Sequence, residues 1–162
     1  MKPYCIFMLW LLPALVHGGE VTMGVPALNE APIHFTARSG KRADMEQILR
    51  ADPKQRDVTT AYGSTPLHMA ALNADPGPLQ ALIAVGAPVN ARDSEGATPL
   101  HMAAYATRTK HAELLLQAGA DPLLKTNIGR DVLSMARKVR ADELAGVVSL
   151  WILKGCKPGK PC

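Results

Sequence analysis

Aromatic residues make up only 4% of this 162-residue chain, and cysteines number three. A nucleic-acid groove wants aromatic platforms along a tracked basic surface. Their scarcity argues against nucleic acid as the partner, although the formal charge is +4. Long hydrophobic runs are missing too. The apolar stretch from Ile6 to Val16 is eleven residues and no later one comes closer, whereas a spanning helix needs about twenty. Stable membrane insertion is therefore not expected. No Ser-His-Asp order, glycine-rich phosphate loop or paired catalytic carboxylate is recognisable. The sequence offers no catalytic residue, no cofactor site and no metal site.

What is abundant is repetition. Thr65-Pro66-Leu67-His68-Met69-Ala70-Ala71 returns letter for letter as Thr98-Pro99-Leu100-His101-Met102-Ala103-Ala104. A weaker copy runs from Ala31 to Ala37, and a degraded one from Asp131 to Ala136. Gly63, Gly96 and Gly129 keep the same interval, as do Gly86 and Gly119. The period of about thirty-three residues defines four units.

Each unit reads as two helices. Thr65 and Thr98 suit N-caps, and Pro66 and Pro99 suit the first helical position, where the missing N–H costs nothing. The Ala-Ala pairs let neighbouring helices approach closely. In the second helix, Leu79, Leu82 and Ile83, matched by Ala112, Leu115 and Leu116, form an amphipathic stripe. Asp75 and Pro76 supply a cap and first-turn proline, and Gly86 and Gly119 suit the left-handed residue that ends such helices. One pair cannot bury its own apolar face, so units must stack, with end units altered to meet water. The first unit, with Arg38, Lys41, Arg42, Asp44 and Glu46 and no terminating glycine, fits a cap. The fourth also does: Asp131-Val132 replaces Thr-Pro, and Arg137, Lys138 and Arg140 take expected apolar positions.

The Thr-Pro-Leu-His-x-Ala-Ala element, Gly119-Ala120-Asp121-Pro122 and Gly86-Ala87-Pro88-Val89-Asn90 resemble the ankyrin repeat, from about Pro26 to Leu153. The fold expected is an all-α ankyrin-type solenoid of about four helix-turn-helix repeats with modified end caps. The resemblance implies that His34, His68 and His101 hydrogen-bond within and between repeat loops. Their spacing, roughly 10 Å in a stack, is too great to share one metal. It also implies a concave binding face made of the turn residues around each glycine and the pair after each Ala-Ala. The candidate partner-binding residues are thus Tyr62, Ser64, Leu72, Asn73, Arg92, Ser94, Glu95, Tyr105, Asn127, Ile128 and Arg130. Tyr62, Leu72, Tyr105, Ile128 and the two arginines would form a surface of hot-spot type; scattered surface residues remain the alternative. Met69 and Met102 could serve core or contact.

Residues 1–18 read as a secretory signal peptide, with Lys2 ahead of the apolar block and small residues at Gly18 and Gly19. Residues 19–30 form a lead-in, 31–153 the repeat domain and 154–162 a tail. In that tail Cys156 and Cys162 bracket Pro158-Gly159, a turn dipeptide, and are expected to form a disulfide in an oxidising compartment.

The function expected is that of an exported, periplasmic or secreted protein that is monomeric alone. It would bind another protein on its concave face, as immunity proteins do when they neutralise a toxic or hydrolytic protein. The alternative is an accessory role beside a periplasmic enzyme such as a catalase in oxidative-stress defence. A histidine-based metal-dependent hydrolase ranks last.

Overall fold

The computed structural model describes residues 30–157. The expected leader, most of the lead-in and Cys162 lie outside them. Eight α-helices follow in pairs: α1 Pro32–Ser39, α2 Arg42–Ala51, α3 Pro66–Leu72, α4 Gly77–Ala84, α5 Pro99–Tyr105, α6 Thr109–Gln117, α7 Val132–Lys138 and α8 Asp142–Leu153. No strand occurs among the described residues. The architecture is the all-helical repeat stack read from the periodicity.

Capping chemistry places the helix starts. Thr65 and Thr98 are extended N-cap residues, each followed by proline. In the fourth unit Asp131 takes over, and its carboxylate accepts the Ser134 amide at 2.7 Å. Hydrogen bonding from Ser134, through its side chain first and its amide second, holds the Asp131 carboxyl below the usual carboxylate range. One expected boundary shifts: Pro76 is itself the N-cap of α4, and Pro78 occupies its first turn. Asp75 still accepts the Gly77 amide at 2.9 Å, so it caps the helix from one position further out than the sequence suggested.

The helix ends follow the glycines. Gly86 has φ 74°, which lets its N–H reach Ile83 O while Ala87 N–H reaches Leu82 O. This double closure satisfies the last carbonyls of α4, and Gly119 does the same for α6 through Leu116 and Leu115. Without such a glycine, α2 ends at an extended Asp52 and runs into a short 3-10 helix, Pro53–Asp57. This piece was not legible in the sequence. Its Arg56 guanidinium donates to Val85 O at the end of α4.

Two layers result. The inner helices pack in the order α1, α3, α5, α7, and the outer ones in the order α2, α4, α6, α8. Ala37, Ala70, Ala71, Ala103, Ala104 and Ala136 are fully buried, so small side chains set the inner spacing. Leu67, Leu79, Leu82, Leu100, Leu115, Leu116 and Leu144 are equally inaccessible, and each contributes about 2 kcal/mol by leaving water. Arg137, Lys138 and Arg140 are exposed at the last unit, in keeping with a solvated end.

Candidate functional site

The finger loops between units begin with a residue that can bind its own turn. Asp93 accepts the Glu95 and Ala97 amides, both at 2.9 Å, and Thr60 and Thr126 use their hydroxyls similarly. Each loop then closes through a glycine: Gly63 N–H donates to Thr60 O, Gly96 to Asp93 O, and Gly129 to Thr126 O, all at 2.9 Å. Three loops of one shape are held side by side. Ser94 N–H donates to Tyr62 O and Asn127 N–H to Glu95 O, each at 2.9 Å. Two side chains reinforce this ladder. The Asn127 amide donates to Ser94 O at 2.9 Å, and Arg92 Nη2 to Lys125 O at 2.8 Å. A Cβ on Gly96 would run into both.

The histidines tie loops to helices. Nδ1 of His68 accepts the Thr65 amide at 3.1 Å, and Nδ1 of His101 accepts that of Thr98 at 3.2 Å. Because Nδ1 accepts, the ring proton sits on Nε2. That atom donates to the next loop: His68 to Ala97 O at 3.1 Å, His101 to Arg130 O at 3.3 Å. Burial pushes both imidazoles below their ordinary value, favouring the neutral ring. The structural role implied by the resemblance is what the geometry displays. His34 reaches Val58 O at 2.9 Å instead, because the 3-10 helix reroutes the first connection. Among the described residues no three His, Cys, Asp or Glu side chains cluster as metal ligands would.

Between the loops and the inner helices lies a groove of about 610 Å³. Six of the sequence-derived candidates line it: Ser94, Glu95, Tyr105, Asn127, Ile128 and Arg130. Tyr105 is 63% exposed and Ile128 72%, and what sets them apart from other exposed apolar groups is that they line one groove together. Tyr62, 75% exposed, and half-buried Leu72 lie outside the groove lining. Arg92 is exposed but spends its guanidinium on the Lys125 carbonyl.

Ser64 and Asn73 present little surface. Both are buried, and the Asn73 amide donates to Ala37 O at 2.9 Å and Gly40 O at 3.0 Å. It braces the second unit against the first. Of the residues after Ala-Ala, Tyr105 lines the groove, Leu72 is half-buried outside it, and Asn73 turns its polar end to carbonyls of the preceding unit.

Among the other lining residues, Met102 is one the sequence left open between core and contact, whereas Met135, Lys138 and Val139 of the fourth unit were not among the candidates. The signal was present. Adding thirty-three to Met102, Tyr105 and Ala106 gives Met135, Lys138 and Val139, but the replacement of Thr-Pro by Asp131-Val132 obscures that register in the fourth unit. Met102 is half-buried, so it serves core and groove together.

A family model described as ankyrin repeats, in three copies, matches residues 29–126. That covers α1 through α6; α7 and α8 lie beyond the match yet continue the stack. Among curated proteins, none matches the sequence. No helix among the described residues is long and apolar enough to cross a membrane.

Proposed function

The chain belongs to the ankyrin-repeat family, and from that premise we propose that it binds another protein on its concave face and performs no chemistry of its own. The carrying observation is the groove itself, where exposed Tyr105 and Ile128 stand over half-buried Met102 and Met135 on a braced loop ladder. Such an arrangement supplies apolar anchors at fixed positions, which is what a protein interface needs at its centre.

The reading is tested by affinity capture from the native compartment with mass spectrometry, followed by binding measurements on the captured protein. Tyr105→Ala and Ile128→Ala should weaken binding at least about tenfold with little change in stability. Gln117→Ala, on the outer helix layer, should leave it intact. Normal binding by the first two together with loss in the third would overturn the concave assignment.

We further propose that the protein is exported to the periplasm or secreted, and acts there as an inhibitor of immunity type. The support is in the sequence: the short apolar leader and the Cys156–Cys162 spacing. If the two tail cysteines are bridged, thiol labelling of the mature chain under denaturing conditions finds no free thiol; two reactive thiols would remove this argument. Adding the purified chain to its captured partner separates the uses. Suppressed partner activity marks an inhibitor, and sustained activity marks an accessory subunit.

A further inference from the structure

Charge is distributed unevenly along the stack. Every arginine up to Arg56 is ion-paired: Arg38 with Glu30, Arg42 and Arg50 with Glu46, Arg56 with Asp57. From Arg92 onward no arginine forms an ion pair among the described residues, and Lys110 is the one lysine there that does, with Glu113. Two of the acids in that half are engaged by backbone amides. Asp93 holds its own loop and Asp131 caps α7. Two of the uncompensated cations, Arg130 and Lys138, line the groove, against a single carboxylate, Glu95.

We propose that this groove takes an acidic segment of the partner protein, in which a carboxylate stands next to a large apolar side chain. The inference rests on the concave-face reading above and says what that face selects. The carboxylate meets Arg130 and Lys138, and the apolar group lodges on Met102 and Met135 alongside Tyr105 and Ile128. Methionine suits such a floor, because its unbranched, polarisable chain conforms to irregular shapes. The cations stand beside an apolar floor rather than along a track of stacking platforms, so the match is to a protein carboxylate and not to a polyanion. Charge complementarity of this kind sets orientation and association rate and rejects basic competitors.

The test pans a phage-displayed random dodecapeptide library on the purified chain, then measures the selected peptides as soluble ligands. Peptides should be enriched in Asp or Glu beside an aromatic or large aliphatic residue. Their affinity should fall at least about tenfold in Arg130→Glu and in Lys138→Glu, and should weaken as salt rises. Replacing the peptide acid by lysine should recover binding to Lys138→Glu. Both variants leave the Arg130 carbonyl and the helix caps in place, and circular dichroism checks that they fold.

Three outcomes overturn the proposal. Peptides without acids that lose binding in Met102→Glu but not in Lys138→Glu would leave the concave face standing and remove the acidic segment. Peptides indifferent to all of these substitutions would remove both. Duplex DNA or heparin binding the chain more tightly than the selected peptides, and failing in the same variants, would make the surface a polyanion site.

Discussion

Asp75 and Arg108 occupy the same place in successive units, thirty-three residues apart, with opposite charge. At the mouth of α4 the Asp75 carboxylate accepts the Gly77 amide at 2.9 Å. At the mouth of α6 Arg108 caps nothing, and its Nε is buried without a partner among the described residues. A cation at a helix N-terminus opposes the dipole, and the first-turn amides lose a side-chain acceptor. Arg108→Asp should raise stability by about 1 kcal/mol, read as a higher urea midpoint at unchanged slope. A lower midpoint would mean that the arginine stem contributes more by packing than its charge takes away.

Strain at the inner turns gives a second expectation. Thr107 and Arg140, equivalent by position, adopt φ 56° and 57°, each in a double closure of the helix end like that at Gly86. Left-handed backbone costs a non-glycine residue about 1–2 kcal/mol, and a β-branched side chain suffers most. Thr107→Gly should gain about 1 kcal/mol net of the greater freedom of unfolded glycine, and Arg140→Gly less. Thermal melts of the two variants rank them, and the opposite order would contradict the branching argument.

Acid should weaken the fold through its histidines. Burial lowers the folded values of His68 and His101 below 6.5, so the unfolded chain takes up protons first as pH falls. Their contribution is complete above the unfolded value and is lost as pH drops through it toward the folded one. Urea midpoints should therefore begin to decline as pH falls through about 6.5, the ordinary imidazole value of the unfolded chain. The His68→Asn, His101→Asn double variant should show a flatter profile from a lower start. A midpoint that rose on acidification would reverse the sign assigned here.

Asn73 separates structure from contact. Its amide bridges a buried carbonyl, that of Ala37, and a part-buried one, that of Gly40, in the preceding unit, and Asn73→Ala would leave the buried one unsatisfied, at about 1–3 kcal/mol before relaxation. Stability should fall in that variant by more than in Tyr105→Ala, measured in the same denaturant series. Equal losses would place Tyr105 in the core.

The repeats were legible because cap, proline, small pair and glycine each meet a backbone need at a fixed interval. Thr65, Pro66, Gly86 and Gly119 sit where those needs predict. Legibility ended where a residue's role depends on its neighbour in the next unit. Asn73 reads as a polar surface residue until Ala37 and Gly40 turn out to lie beneath it. The 3-10 helix after α2 is the consequence of a glycine that is absent, and absence does not specify what the chain does instead. Lys138 and Met135 follow the thirty-three-residue period, but the fourth heptapeptide keeps too little of the motif to mark which face of its helix is which.

The loop ladder has one more implication. Because Ser94 is tied to Tyr62 and Asn127 to Glu95 through main-chain bonds, the loop backbone that carries Ser94, Glu95, Asn127 and Ile128 is already held in place before any guest arrives. Recognition then forfeits little entropy on this side of the complex, and selectivity falls to the shape and charge that the rigid comb already presents.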